Sequence, residues 1–173
     1  LQEAEGDMER AIEILRKKGI AKADKRSDRS ASQGLIVIES SHSGREAAMV
    51  ELNSETDFVA KNADFVKLAH ELAKHALAHA PLGVHPGSTI DAQPFRDGTV
   101  AEAIKQASGK TGEAMSLKRV AHFKVEEGTV GHYLHHNGQS GSIVELQGVR
   151  GDGVTSLARE LALHATSTDP IGV

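Results

Sequence analysis

The chain of 173 residues has no cysteine and no tryptophan, and it carries only one tyrosine and four phenylalanines. Without thiols it forms no disulfide and has no thiolate to serve as nucleophile or metal ligand. With aromatics at 3%, its core must be built mainly from Leu, Ile, Val and Ala. No apolar run approaches the roughly 18 to 20 residues of a membrane span, and Leu1 opens no signal-peptide pattern. The formal net charge is only −4, so no whole-chain field draws the protein to nucleic acid or to an anionic membrane. These absences predict a soluble, intracellular protein, and a first residue other than methionine predicts a trimmed or partial chain.

What is present is a repeat. Residues 34–52 (GLIVIESSHSGREAAMVEL) align without gaps on residues 128–146 (GTVGHYLHHNGQSGSIVEL), and residues 65–84 align on residues 154–173. The first copy is five residues longer between these blocks, where it reads Asn53-Ser54-Glu55-Thr56-Asp57-Phe58-Val59-Ala60-Lys61-Asn62. A duplicated scaffold with one enlarged loop implies that the scaffold is structural and that the loop carries the function.

Periodicity predicts a helix over residues 7–18, with Asp7 as N-cap, Gly19 as stop and a stripe of Met8, Ala11, Ile12 and Leu15 that needs a partner helix. Residues 20–33 read as a solvated helix or linker. β-like runs at 35–38 and 47–52 flank a Ser-His-Ser-Gly turn, and an amphipathic helix follows over 64–80, with Phe65, Leu68, Ala69, Leu72 and Ala76 facing a core. Pro81 ends it, and residues 81–98, rich in Pro and Gly, read as a connector between lobes. The second half reads as a short helix over 100–107, a turn over 108–112, a strand over 115–125, then the repeated hairpin and helix. The expected fold class is α+β, with two related antiparallel-sheet-plus-helix lobes. The divisions fall at residues 1–33, 34–98 and 99–173.

Thr56-Asp57-Phe58-Val59 lies where a strand hands over to a helix. A projecting Phe beside a carboxylate can act as a wedge against a partner. In the competing arrangement Phe58 folds back onto its own core and Asp57 caps the helix. His75 and His79, four apart, can share one helix face as metal ligands, but no third or fourth ligand is evident. His132, His135 and His136 straddle a strand and its turn, and alternation leaves at least one of them exposed. Gly109-Lys110-Thr111 lacks the glycine a phosphate loop requires, because Ile104 stands there. Arg150-Gly151-Asp152 falls in the shortened loop of the second copy and reads as chance. The basic set Arg16, Lys17, Lys18, Lys22, Lys25, Arg26 and Arg29 is interrupted by Asp24 and Asp28 and has no interleaved aromatic. It is either a solvated face or the contact of an RNA- or ribosome-associated module. No nucleophile elbow or paired catalytic carboxylates appear, which favours a binding protein over an enzyme.

TDFVAKN at residues 56–62, directly after Val-Glu-Leu-Asn-Ser-Glu, resembles the signature of the elongation factor Ts family, guanine-nucleotide exchange factors of the translation GTPase elongation factor Tu. Two further stretches are similar. Gly6-Asp7, Ala11-Ile12 and LRKKG at 15–19 resemble the end of that family's ubiquitin-associated-like (UBA-like) helical module. Gly112-Glu113, Lys118-Arg119-Val120 and Tyr133-Leu134-His135 resemble segments of its second core lobe. The resemblance implies a cytoplasmic exchange factor of bacterial or organellar origin. It has no cofactor and no nucleotide site of its own, and it binds elongation factor Tu in the GDP-bound and nucleotide-free forms. It assigns Asp57 and Phe58, with Thr56 and Val59, to a wedge entering near the GTPase's magnesium site, and Thr111, Gly112 and His135 to a second contact region. Where the family usually has Cys the chain has Ser54, and Thr111 replaces an apolar residue. The family's first helix and its later segments have no counterpart, so a fragment is expected.

Overall fold

The computed structural model describes all residues except 1, 6, 25, 27, 28, 169 and 171–173. The described chain is α+β, as expected, with helices packed against antiparallel sheets. Gln33–Ser40 (β1) and Glu46–Ser54 (β2) form a hairpin in the register Leu35 opposite Leu52 and Val37 opposite Val50. A short helix, Asp57–Ala60 (α2), leads into Ala63–His79 (α3). Asn62 caps α3 by accepting the Asp64 N–H at 2.8 Å. Phe65, Leu68, Ala69, Leu72, Ala73 and Ala76 recur at helical spacing and are all buried against the sheet. Each large apolar side chain among them contributes about 1.5–3 kcal/mol when removed from water.

Residues 81–98, expected as a bare connector, contain Gly83–Pro86 (β3), a 3₁₀ turn over Gly87–Ile90, and a two-residue ribbon of Pro94–Phe95 (β4) and Gly98–Thr99 (β5). Ile90 and Phe95 of this stretch are buried in the main core, so the prolines punctuate a packed segment rather than a loose one. Val100–Thr111 (α4) opens on a capping box between Thr99 and Glu102. It runs one turn beyond the expected helix, and the predicted turn over 108–112 is its last turn. Gly112, at φ 79°, ends it in the left-handed conformation.

Met115–Lys124 (β6) is the strand expected there, but it pairs with β2 on one side and β3 on the other, giving the sheet order β1-β2-β6-β3. α4 and β6, grouped by sequence with the second lobe, thus sit on the first. The repeat could not reveal this, because it covers only the hairpin and the following helix. Buried His122 on β6 ties the layers together, its ring nitrogens 2.7 Å from Ala80 O and 2.9 Å from Glu46 Oε1.

Gly128–Leu134 (β7) and Gly141–Gln147 (β8) form the second hairpin, and Val154–Thr168 (α5) packs on it through buried Ala158 and Ala162. The repeated register is the same, with Thr129 opposite Leu146 where Leu35 faces Leu52. Among the described residues this ribbon has no counterpart of β6 or α4. Leu157 and Leu161 are therefore 49% and 39% exposed, whereas Leu68 and Leu72, their repeat equivalents, are buried. The equivalence of Val84 with Val173 lies outside the described residues.

Met8–Asp24 (α1) precedes the sheet, capped by Asp7, whose carboxylate accepts the Glu9 and Arg10 N–H groups at 2.9 and 3.2 Å. Gly19 does not stop it. The helix continues because Gly19 meets Gly109 of α4, where a Cβ on Gly109 would lie 2.8 Å from the Gly19 carbonyl carbon. The two glycines let the backbones touch, so their role is close approach rather than termination. Ala23, in the stretch expected to be solvated, is buried near the end of α1, whereas Met8, Ile12 and Leu15 stay exposed.

Candidate partner-binding site

The enlarged loop of the first copy contains α2. Thr56 is its N-cap, with extended backbone and a side-chain oxygen 3.4 Å from the Val59 N–H it accepts. Asp57 is not the cap. It pairs with Lys61 one turn on, at 2.6 Å, and the hydrogen bond from Lys61 holds its carboxyl below the usual carboxylate range. Ala60 is buried and Val59 packs against the main core, so the turn is anchored by its inner face. Phe58 lies on the outer face and is 82% exposed. The arrangement in which it folds back onto its own lobe is not adopted. An apolar ring left so far in water, on an element otherwise held in place, is the kind of feature that interfaces use as an anchor.

The C-terminal end of α4 abuts this turn. The left-handed Gly112 redirects the chain so that Glu113 grips Thr56 twice, accepting its N–H at 3.0 Å and its Oγ1–H at 2.7 Å. In return Glu55 accepts the Ala114 N–H at 2.7 Å, with Arg29 at 3.5 Å behind it. The Ala114 N–H, then the Arg29 charge, hold the Glu55 carboxyl below the usual range despite some loss of hydration. Two buried hydroxyls complete the joint: Ser54 donates to Thr56 O at 2.9 Å and Ser108 to Glu113 O at 2.6 Å. Thr111 is exposed beside this joint, and nothing lies within 4 Å of a Cβ built on Gly112. The structure thus brings Thr56, Asp57, Phe58 and Val59 together with Thr111 and Gly112 on one surface. Glu55 and Glu113, which join them, were not singled out by sequence. The only signal was the Gly-Glu pair itself, since the contact spans 57 positions.

His135 is held elsewhere, at the tip of the β7–β8 hairpin. Its Nδ1 is 3.3 Å from the Tyr133 hydroxyl and its ring centroid 4.2 Å from that of His136, which is exposed. The tip docks on β1 through Ile36 N–H donating to Gly138 O at 2.7 Å.

The other candidates are absorbed by structure. His75 bonds Gln93 at 2.8 Å and meets Phe95 edge-on, and burial pushes its pKa down. Among the described residues no group of three or more His, Asp or Glu side chains is placed to hold a metal ion. Of the basic set, Lys17 pairs with Glu13, Lys18 with Glu3 and Arg29 with Glu55. Lys25, Asp28 and the Arg16 side chain lie outside the described residues. Arg150 pairs with Glu127 rather than presenting a free tripeptide. No described helix is long and apolar enough to cross a membrane.

The Elongation factor TS family model matches residues 55–173, well over half of the chain, beginning at the clasped loop itself. The chain belongs to the elongation factor Ts family. It is similar to "Elongation factor Ts" of Chlorobium phaeobacteroides (strain BS1), 39% identical over the whole chain and 60% of the relative's length. It is likewise 41% identical to that of Rhizobium rhizogenes, over the whole chain and 57% of the relative, and 41% identical to that of Acidithiobacillus ferrooxidans, over 98% of the chain and 55% of the relative. It therefore spans less than two thirds of the curated elongation factor Ts proteins it matches.

Proposed function

We propose that this chain binds elongation factor Tu and promotes release of its GDP, acting as the core of a cytoplasmic guanine-nucleotide exchange factor. Phe58 carries the proposal: it is an aromatic ring 82% exposed on a turn that the main core and Glu113 hold still. In this reading Phe58 enters the GTPase near its magnesium site, with Asp57 steering the approach and Thr56 and Val59 forming the base. Magnesium contributes to GDP affinity by neutralising phosphate charge, so disturbing its surroundings loosens the nucleotide. The same conclusion follows from linkage. A protein that binds the nucleotide-free GTPase more tightly than the GDP form lowers GDP affinity by the same factor in the ternary complex. Thr111, Gly112 and His135 are assigned to a second contact region, two of them adjacent to the loop and the third at the hairpin tip. α1 is read as the last helix of a UBA-like module, which accounts for the exposure of Met8, Ile12 and Leu15. The RNA-binding alternative is weaker, because carboxylates already engage Lys17, Lys18 and Arg29.

Stopped-flow release of labelled GDP from elongation factor Tu tests this directly. The parent chain accelerates release, and Phe58→Ala weakens the interaction by about 2 kcal/mol, roughly thirtyfold in affinity. Equal acceleration by both proteins removes Phe58 from the mechanism, and no acceleration by the parent overturns the assignment.

A further inference from the structure

Phe58 is exposed, but no hydrogen bond or salt bridge of its own side chain orients it. Its direction is set one step away. Thr56 is gripped at every polar atom it has: its N–H and hydroxyl donate to the two oxygens of Glu113, its carbonyl accepts from Ser54, and its hydroxyl oxygen also accepts the Val59 N–H. The hydroxyl proton must point at Glu113 for the oxygen lone pair to face Val59. Glu113 therefore fixes the rotamer of the N-cap, and the N-cap fixes the first turn of a helix only four residues long, too short to hold its own shape. A charged acceptor makes these the stronger kind of hydrogen bond.

We propose that Glu113 is the positioning residue for Phe58, and that with Glu55 it locks the Thr56–Val59 turn to the Thr111–Gly112 corner as one rigid docking surface. The proposal deepens the exchange-factor reading and rests on it for its kinetic consequence. Glu113 touches no nucleotide and no magnesium in this scheme; it acts through Thr56. The reciprocal bond from Ala114 N–H to Glu55 closes the joint, so the two corners cannot slide past each other without breaking bonds at both ends. Preorganisation of this sort saves the entropy that ordering a loose loop would cost at the moment of docking.

The test uses the absence of tryptophan from the chain. Phe58→Trp supplies a single fluorescent reporter at the exposed position, read by time-resolved anisotropy in the free protein, while GDP release is measured separately with Phe58 intact. Glu113→Ala is expected to increase the local rotational freedom of the reporter and to slow GDP release about ten- to a hundredfold, the scale on which misplacing a working group acts. Thr56→Val, which keeps the shape but removes the hydroxyl, gives the same two effects, and the double variant is no worse than either single one. Glu113→Gln keeps acceptor oxygen Oε1 and recovers part of both, and it serves as the test variant should Glu113→Ala not fold by circular dichroism. The proposal is overturned if the reporter is as immobile without Glu113 as with it, or if the losses from Glu113→Ala and Thr56→Val multiply. A parent chain that fails to accelerate GDP release sinks the exchange reading alone, and the anisotropy still decides whether Glu113 positions residue 58.

Discussion

Gly34 and Gly128 occupy the same place in two hairpins, each facing a backbone carbonyl across the ribbon. A Cβ on Gly34 would lie 2.2 Å from Leu52 O, and one on Gly128 would lie 1.8 Å from Leu146 O. Leu52 and Leu146 are themselves repeat equivalents, so the duplication preserved a close approach as well as a pattern of letters. Alanine at either position must push the strands apart, with a cost of about 1–3 kcal/mol. The cost is expected to be larger at Gly128, where φ is also 126°. Thermal unfolding followed by circular dichroism checks this, and unchanged melting temperatures for both variants would show that the ribbons yield freely.

Phe58→Ala is expected to leave stability within about 0.5 kcal/mol of the parent, because surface truncations away from packed features rarely do more. Phe65→Ala, at the buried start of α3, is expected to cost about 3–5 kcal/mol. Denaturant titration of the two variants separates them. A large loss from Phe58→Ala would mean the ring contributes to its own fold and is not held in reserve for a partner.

The two hairpins and the helices after them were legible because apolar spacing and the repeat act over short stretches, and the same letters recur at the same turns. Long-range pairing was not. Met115–Lys124 is visibly a strand, yet nothing local says that its edge meets β2 rather than β7. Gly19 looked like a helix stop because glycine usually marks one, and only the presence of Gly109 on the crossing helix reveals its other use. The enlarged loop singled out the proposed site. The exposure of Phe58 depended on how Thr56 is held, and its holder, Glu113, lies 57 positions away.

The α1–α4 crossing offers a local test. Gly109→Ala gains up to about 1 kcal/mol of helix propensity within α4. It also places a methyl group 2.8 Å from the Gly19 carbonyl carbon and must displace α1. Hydrogen exchange is expected to rise throughout α1 while α3 and β2 keep their protection. Undiminished protection of α1 would mean that the crossing tolerates an extra methyl group and that Gly19 has another role.

Two histidines are expected to weaken the fold in mild acid. Burial, chiefly, pushes His75 below its ordinary value of 6.5, and burial with the nearby Arg159 charge does the same to His132. Both are therefore neutral in the folded chain at pH values where the unfolded chain has begun to take up protons. Their contribution is complete above pH 6.5 and is lost progressively as the pH falls from there toward the lower folded values. Glu55 acts further down. Its depressed carboxyl keeps accepting the Ala114 N–H through the ordinary glutamate value of 4.5 and lets go only as the pH falls through its lower folded value. Melting temperature is thus expected to decline from pH 7 to pH 5 before the loop joint is affected, and His75→Gln should flatten that decline. A profile with the same slope in the variant would exclude His75 as its source.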